Sequence, residues 1–359
     1  MRIALDATPL TLSSGGLPRY VTELSIALAR EFPEDTYYLL SDQPFPMPER
    51  APANLVRGRP PHSAAERRWW LWGIRHAIRQ TGAQVFHGTN FEVPYLGSTR
   101  AILTIHDLSP WREGAWRIYG HNAHNAEADR VRWRTPWLVR LRRARMILTV
   151  SEAVRREVIE HFGLPPGRVR AVPLAASSHF RPLPPTSPAP KPFFLFVATL
   201  EPRKNVAALI EGWRESRAET NADLVVAGRN RADFEAISPC DGLHLLGEVP
   251  DQELPRLYSD ALAFVYPTHY EGFGLPVLEA MQCGCPVITS RDPAVVEVSG
   301  GAAIHTSSAQ EIAEAMRAIA GNPRLRNTLS GAGLQRAAAF SWSRTARETH
   351  AVYCSVLQG

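Results

Sequence analysis

The most informative stretch of this 359-residue chain is Glu271-Gly-Phe-Gly-Leu-Pro-Val-Leu-Glu279. Its glycines remove side-chain bulk, so backbone N–H groups can approach a ligand, and Pro276 brings a preset φ to the first turn of a helix. Gly284 and Pro286 predict the end of that helix. A helix N-terminus attracts anions, and each glutamate can accept two hydroxyl hydrogen bonds. The segment therefore predicts a site for a neutral polyol that carries a phosphate.

Two adjacent cations, Arg203 and Lys204, lie between a buried apolar run at residues 193–198 and a helix predicted from Asn205. An arginine grips phosphate with a planar fork and a lysine with a compact charge. The helix N-terminus adds to the attraction. This arrangement predicts a diphosphate site, in which both cations neutralise charge on a departing nucleotide.

Several ordered segments give the chain, over nearly its whole length, a resemblance to the retaining nucleotide-sugar glycosyltransferases of family 4. The resemblance implies a GT-B fold, in which two Rossmann-like parallel-sheet domains face a central cleft. It also implies an enzyme that moves a hexose from a nucleoside-diphosphate sugar with retention of configuration. The segments are Phe86-His-Gly-Thr-Asn90, Thr104-Ile-His-Asp107, Thr149-Val-Ser-Glu152, Leu195-Phe-Val-Ala-Thr-Leu-Glu-Pro-Arg-Lys-Asn205 and the residues from Tyr266 to Ile288.

The resemblance implies a role for individual residues of the C-terminal half. Glu271 would contact the hydroxyls of the donor sugar, and Glu279 the ribose hydroxyls, while Arg203 and Lys204 would stabilise the leaving diphosphate. The implied catalytic residues are Glu271, Arg203, Lys204 and His106. The implied donor-binding residues are Gly15, Gly16, Arg203, Lys204, Glu271, Gly272, Phe273, Gly274, Leu275 and Glu279.

Strand ends in the N-terminal half are expected to supply the acceptor side. His106 and Asp107 end a buried strand, where the resemblance puts a histidine near the donor sugar and the acceptor. His106 can be cast as a general base, although in retaining enzymes of this type the leaving phosphate itself is thought to take the acceptor proton. His87 and Asn90 follow another strand, and they either line the acceptor side or merely shape the turn.

A Gly-Gly pair opens the first predicted helix. Gly15 and Gly16 stand where a phosphate-contacting loop is expected, after the first strand. The family form carries a further glycine where this chain has Pro18, which puts close backbone approach in doubt. The alternative is an ordinary turn.

Apolar runs that alternate with helical patterns predict an α/β protein with two parallel sheets. We expect an acceptor-binding domain at 1–180, a proline-rich linker at 181–192, a nucleotide-sugar-binding domain at 193–340, and a helix at 341–359 that packs back on the first domain. The predicted strands are 3–5, 85–86, 101–105, 146–150, 169–174, 193–198, 224–227, 243–246, 263–266 and 286–289.

Charge is distributed unevenly along the chain. Residues 1–180 carry 24 Arg against 16 Asp and Glu, a balance of +8, whereas residues 181–359 have a balance of −3. In the basic half, Arg67-Arg-Trp-Trp-Leu-Trp72 and the arginine-rich stretch 130–145 predict either peripheral contact with an anionic membrane face or packing in the core. No recognised nucleic-acid motif accompanies this charge, so a nucleic-acid partner is not expected.

Cysteine usage and hydropathy predict a cytoplasmic protein, peripheral on the inner face of the cell membrane if the basic surface binds lipid. The four cysteines lack zinc-type spacing, and no stretch approaches the roughly 20 apolar residues of a membrane span. No metal is expected, because the chain contains no Asp-x-Asp clamp. No cofactor is expected either, since the only lysines are Lys191 and Lys204, and neither suits a pyridoxal Schiff base.

The expected partners are a nucleoside-diphosphate sugar, with a GDP-sugar as first candidate, and a saccharide or lipid-linked saccharide acceptor. The GDP-sugar rests on N-terminal motifs that look like those of bacterial mannosyl- or rhamnosyltransferases of polysaccharide assembly. Two alternatives stay open: a nucleotide-sugar epimerase on the same scaffold, and a non-catalytic sugar-nucleotide-binding subunit.

Overall fold

The computed structural model describes residues 1–12, 15–97, 100–112, 123–187, 191–231, 234 and 237–358. The chain divides into two compact units. The first unit comprises the described residues within Met1–Arg112, His121–Leu174 and Ser341–Gly359, and the second comprises those within Ala175–Phe340. The chain passes from the first unit to the second after Leu174, a changeover that precedes the predicted linker at 181–192. Residues 188–190 of that linker lie outside the described part of the chain.

The described residues form thirteen strands and eleven α-helices. The strands are β1 Arg2–Asp6, β2 Thr36–Leu40, β3 Leu55–Arg57, β4 Val85–Gly88, β5 Ala101–Ile105, β6 Ala144–Thr149, β7 Val169–Ala171, β8 Phe193–Val197, β9 Asp223–Ala227, β10 Leu243–Gly247, β11 Ala263–Tyr266, β12 Val287–Ser290 and β13 Ile304–Thr306. The helices are α1 Gly16–Glu31, α2 Ile74–Thr81, α3 Ala123–Arg140, α4 Glu152–Phe162, α5 Val206–Thr220, α6 Leu254–Asp260, α7 Leu275–Gln282, α8 Pro293–Ser299, α9 Ala309–Gly321, α10 Pro323–Ala337 and α11 Trp342–Gln358.

Each unit is built on one parallel sheet. The first sheet has the order β3-β2-β1-β4-β5-β6-β7, and the second has the order β10-β9-β8-β11-β12-β13. Continuous apolar strands suit sheets that are covered on both faces, and every residue of β5 is buried. The prediction of two parallel-sheet domains is confirmed.

Three strands escaped prediction, namely β2, β3 and β13. Two of them form sheet edges: β3 and β13 have three residues each and end the order of their sheets. Short edge strands lack the continuous buried run by which a parallel strand is recognised in sequence. The strand β2 alternates partly buried and buried residues instead.

The segment after the changeover is fastened to the second unit. Leu183 donates its N–H to the Ser259 hydroxyl at 3.1 Å, and the Thr186 hydroxyl donates to Asp260 at 2.6 Å. Both partners belong to α6. Residues 181–187 form no helix or strand, as their prolines predict, and these bonds hold them against α6.

The C-terminal helix α11 belongs to the first unit. Its Tyr353 hydroxyl lies 2.7 Å from His87 Nδ1 in β4, and His350 stacks on Phe32 at the end of α1 with ring centroids 3.5 Å apart. None of the helices in the described part of the chain combines the length and the hydropathy of a membrane span.

Candidate functional site

The order of the second sheet creates a switch point between β8 and β11. From β8 the chain proceeds to β9 on one side, whereas β11 lies on the other side. Loops that leave neighbouring strands in opposite directions open a crevice at the carboxyl ends of those strands. The Pro202–Lys204 turn follows β8, and the loop that carries Glu271 follows β11. The predicted cations and the first predicted glutamate therefore meet at this point.

Lys204 and Glu271 form a buried ion pair at the switch point. The Lys204 ammonium donates to Glu271 Oε1, and also to the Tyr266 hydroxyl at 2.7 Å. The Tyr266 hydroxyl in turn donates to Glu271 Oε1 at 2.9 Å, and the Thr268 hydroxyl lies 3.0 Å from the same oxygen. Lys204 is 5% exposed and Glu271 is 8% exposed. Burial of both charges is tolerable because each is paired and hydrogen-bonded.

Arg203 extends this pair into a larger ionic cluster. Its guanidinium lies 3.6 Å from Glu271 Oε2 and donates through Nε to Glu201. The second oxygen of Glu201 accepts from Arg231 at 2.8 Å. Arg203, Lys204 and Arg231 thus gather around Glu201 and Glu271. Several cations at one point suit an anionic ligand.

Burial and charge act in opposite directions on the ionisable groups of the cluster. Burial lowers the pKa of Lys204, as does the neighbouring Arg203, while Glu271 opposes the shift. Burial also disfavours the ionised form of Glu271, but Lys204 and Arg203 hold the pKa of this carboxyl below its usual value. Glu271 is therefore a carboxylate at neutral pH, and its oxygens accept hydrogen bonds.

The loop before α7 has the backbone that its glycines predict. Gly274 precedes the helix with φ +98°, a conformation that a side chain would strain. The helix ends at Gln282, and Gly284 follows with φ +73°, so the predicted helix end is confirmed. Asp292 at the start of α8 accepts from the backbone N–H of Glu271, and burial raises the Asp292 pKa to about 6. That N–H is therefore already bonded within the protein.

Glu279 lies in a different environment from Glu271. It occupies the second turn of α7, where it is buried. The Tyr258 hydroxyl donates to Glu279 Oε2 at 3.4 Å. The two glutamates of the quoted segment thus contact different groups, one in a cation cluster and the other beside a tyrosine.

The first unit has the corresponding switch point between β1 and β4, and His106 follows the next strand, β5. The His106 Nε2 lies 2.8 Å from the Thr89 carbonyl oxygen. A carbonyl only accepts, so Nε2 carries the proton and Nδ1 keeps its lone pair. Burial lowers the pKa of His106. The ring is therefore neutral at neutral pH, with one nitrogen able to accept a proton.

His87 lies in the interior, and this corrects its predicted place on the acceptor side. It is a residue of β4 with no exposed surface. Its Nδ1 lies 2.7 Å from the Tyr353 hydroxyl, and its Nε2 lies 2.7 Å from the Thr104 hydroxyl. Burial lowers its pKa to about 3. Both ring nitrogens are used within the first unit, so His87 positions its neighbours and has no nitrogen left for an acceptor.

The other acceptor-side residues differ from one another. Asn90 has a buried Oδ1 with no hydrogen-bond partner among the described residues. Asp107 accepts from the Ser109 N–H at 2.9 Å and from its hydroxyl at 2.6 Å. These bonds start the short helix Ser109–Trp111, so the Asp107 carboxylate has a structural role in this loop.

The Gly15-Gly16 pair begins α1. Gly15 has φ +117° and precedes the helix, while Gly16 is its first residue. A side-chain carbon added at either position would meet no atom within 4 Å. The loop therefore has open space beside its backbone. Gly15 is required by its conformation, whether or not a phosphate binds there.

Sequence reasoning missed several members of the ionic cluster, namely Glu201, Arg231, Tyr266, Thr268 and Asp292. Glu201, Tyr266 and Thr268 lie inside the quoted segments. For Glu201, its place two residues before Arg203 was a signal that could have indicated an ion pair. Arg231 and Asp292 follow other strands, and only the fold brings them close. Among the described residues, no group of three or more His, Cys, Asp or Glu side chains is arranged to hold a metal ion.

Comparison with known proteins covers both units. Residues 14–176 match the family described as Glycosyltransferase Family 4, and residues 184–336 match the family described as Glycosyl transferases group 1. The chain is 31% identical over 389 aligned positions to the O-antigen chain mannosyltransferase B of Escherichia coli, with 98% of this chain and 99% of the relative covered.

Solved structures with low sequence identity share the fold. Sucrose-phosphate synthase from Thermosynechococcus elongatus matches with a TM-score of 0.74 at 19% identity, and the match covers 99% of both chains. Anabaena HepE, solved in complex with UDP-glucose, matches with a TM-score of 0.69 at 14% identity over 99% of this chain and 100% of that one. The GT-B assignment is thereby confirmed. The near full-length relationship to the Escherichia coli enzyme and the two family matches show that the chain belongs to the family 4, group 1 glycosyltransferases and is an enzyme of sugar transfer.

Proposed function

We propose that this glycosyltransferase moves mannose or a related deoxysugar from a nucleoside-diphosphate sugar to a saccharide or lipid-linked saccharide, with retention of configuration. The observation that carries the proposal is the buried cluster of Arg203, Lys204 and Glu271 at the switch point of the second sheet. It offers cations to a leaving diphosphate and a carboxylate to sugar hydroxyls within one group of hydrogen-bonded side chains.

The proposed chemistry follows from the charge of the cluster. As the bond between sugar and diphosphate breaks, negative charge grows on the phosphate oxygens, and the cations of the cluster stabilise it. Glu271 orients the sugar by accepting from its hydroxyls, since its pKa keeps it ionised. Glu279 accepts from the ribose. Because the cations supply the charge compensation, we expect chelators to leave activity intact.

The choice of mannose rests on the Escherichia coli relative, which is named a mannosyltransferase of the O-antigen chain. GDP-mannose is the corresponding first candidate for the donor. A thermal-shift panel of GDP, UDP, ADP and dTDP identifies the base, because a ligand that binds only the folded state raises the melting temperature.

Transfer is then assayed with the matching sugar nucleotide and a mannose-containing oligosaccharide, and the product anomer is read by NMR. We expect the anomeric configuration of the donor to be preserved. An inverted product, or activity that chelator abolishes and manganese restores, would overturn the proposed mechanism. Conversion of the sugar nucleotide to its epimer without acceptor would instead identify the epimerase alternative.

We also propose that the first unit contacts the membrane through α3 and the turn before α2. The tryptophans of these segments differ in exposure: Trp69 is only 4% exposed, whereas Trp72, Trp133 and Trp137 are 49%, 73% and 57% exposed. The packing alternative therefore applies to Trp69. The exposed tryptophans belong to the basic half of the sequence, and aromatic side chains beside cations suit the surface of an anionic membrane.

A further inference from the structure

A cavity of about 490 Å³ lies in the first unit, at the edge of the sheet where β4, β5 and β6 begin. The candidate residues of this unit follow the opposite ends of these strands. Four arginines line the cavity together with Ile78 and Gln84: Arg75, Arg79, Arg100 and Arg145. Its volume is in the range of small-molecule sites.

The four arginines reach the cavity from three features of the fold. Arg75 and Arg79 lie one turn apart on α2, on the same face of the helix. Arg100 immediately precedes β5. Arg145 occupies a break in register, because Ala101 pairs with Ala144 while the next residue of β5, Ile102, pairs with Met146.

The irregularity at Arg145 lies between two parallel strands, where an extra residue re-aims a side chain. The Arg145 side chain lines the cavity together with the other three arginines.

The charge environment of these four guanidinium groups differs from that of other arginines in the unit. Within the described ranges, none of them lies within ion-pair distance of an Asp or Glu, whereas Arg112, Arg134 and Arg155 of the same unit are paired. Arginine stays protonated, so the charges cannot be relieved by proton loss. Arg75 also lies 6.0 Å above the ring of the exposed Trp72.

We propose that this cavity binds a phosphate ester with at least two negative charges, at a site separate from the donor site of the second unit. Arginine forks match phosphate oxygens with paired hydrogen bonds, and four uncompensated cations select a ligand of high charge over a monoanion. Either a soluble diphosphate or the phosphomonoester headgroup of phosphatidic acid has this chemistry.

The test uses inorganic diphosphate and the full chain, with ionic strength held constant. We expect calorimetry to show that the double variant Arg79→Gln/Arg100→Gln binds diphosphate at the cavity about tenfold more weakly, or less well still, because two charge-assisted contacts are removed. Hydrogen exchange of the wild type should show that diphosphate protects α2 and the start of β6. The variant should fold normally, because removing unpaired like charges relieves repulsion.

The matched control is Arg59→Gln/Arg170→Gln, which removes two exposed arginines of the same unit that lie outside the cavity. It should bind diphosphate like the wild type. Equal weakening in both double variants, or protection confined to the second unit, would overturn the proposal. A Lys204→Met variant keeps the proposed site, so loss of the donor site and loss of this site are distinguishable.

Vesicles separate the two sources of phosphate. Binding to phosphatidic acid in phosphatidylcholine vesicles that diphosphate displaces, and that Arg79→Gln/Arg100→Gln weakens, identifies the lipid headgroup as ligand. Diphosphate binding by a protein that ignores these vesicles identifies a soluble phosphate ester. Turnover on a soluble saccharide should be unchanged by the double variant in either case.

Discussion

The two units share a strand order around their switch points, but they place different chemistry there. In the second unit, Lys204 and Glu271 are ionised and paired within hydrogen-bond distance. In the first unit, burial raises the pKa of Asp6 to about 7 and that of Glu92 to about 7, while it lowers the pKa of His87 to about 3. The first unit therefore favours neutral forms where the second unit stabilises charges.

The difference has a local cause. The carboxyl of Asp6 accepts from the Thr8 N–H and hydroxyl at 3.0 and 2.8 Å, and its surroundings include Asp42 rather than a cation. Hydroxyl and amide donors stabilise a carboxylate less than an ammonium does. The same topology thus provides a position, and the residues on neighbouring loops decide whether that position is charged.

The largest expected effect comes from removing the ion pair of the second unit. Lys204→Met removes the ammonium that pairs with Glu271, and we expect turnover to fall by about 10²-fold, since the contact strengthens as the diphosphate leaves. It also leaves a buried carboxylate without its partner, so the melting temperature should fall. Steady-state kinetics and thermal melting measure both effects.

Lys191→Met is the matched control, because Lys191 is the only other lysine and pairs with Asp223 at an exposed position. It should change turnover little. Adding Glu271→Gln to Lys204→Met should restore part of the lost stability, since no buried charge then remains unpaired. Normal turnover in a folded Lys204→Met protein would place the diphosphate elsewhere.

A second prediction concerns Asp6 of the first unit, where burial favours the neutral carboxyl group. Asp6 has a raised pKa in the folded state, so its contribution to stability is present at low pH and is lost as the pH rises toward and through about 7. Asp6→Asn cannot ionise. Between about pH 5 and pH 8, we expect the wild type to lose about 2 kcal/mol of stability relative to this variant.

Chemical denaturation of both proteins across this pH range measures the difference. His87 acts with the opposite sign, because its depressed pKa makes stability rise with pH between about 3 and 6.5; it cancels from the comparison, since both proteins contain it. Parallel pH profiles of the two proteins would show that Asp6 ionises normally.

A third prediction separates the two glutamates of α7 and its preceding loop. Glu279→Gln should weaken binding of the nucleoside diphosphate about tenfold, because a carboxylate accepts from hydroxyls more strongly than an amide does. Glu271→Gln should leave nucleotide affinity nearly intact and slow sugar transfer. Calorimetry with the product nucleotide, together with turnover, distinguishes them. Equal losses of affinity would refute the division of roles.

The smallest expected effect concerns the membrane surface of the first unit. Trp133→Ser/Trp137→Ser should reduce co-sedimentation with anionic vesicles by about 1 kcal/mol in binding free energy, and salt should weaken the binding of the wild type. The control Leu245→Ser/Leu246→Ser removes exposed apolar side chains of the second unit. If both double variants behave alike, the tryptophans do not contact lipid.

The sequence predicted the central strands and three charged members of the ionic cluster, Arg203, Lys204 and Glu271, because both are local signals. Buried runs such as Ala101–Ile105 need only their own hydropathy, and Arg203-Lys204 and Glu271 stand in recognisable segments. It did not predict that Lys204 would bond to Glu271. The resemblance implies separate ligands for these two residues, whereas the structure pairs them with each other. Tertiary pairing of this kind depends on which strands are neighbours, and no local pattern encodes it.

The prediction for His87 also failed because a contact between distant segments was not visible in the sequence. Its position at a strand end suggested a loop residue, but its partners are Thr104 on the adjacent strand and Tyr353 on the last helix. The Tyr353 hydroxyl of α11 contacts His87 in β4 across a sequence separation of 266 residues, which no local pattern reveals. Predictions made from spacing alone were therefore weakest where distant segments meet.

The return of α11 to the first unit has a consequence for biosynthesis. In the N-terminal unit, Asp35 Oδ2 lies 2.8 Å from His350 Nε2 of α11. The Arg347 guanidinium of the same helix donates to Glu31 Oε2 at 2.8 Å. On the ribosome, these partners emerge only after every residue of the second unit has been translated. Domains tend to fold in the order of synthesis, but here the contacts of α11 with the N-terminal unit form last, so the second unit is able to reach its native state before the first unit is complete.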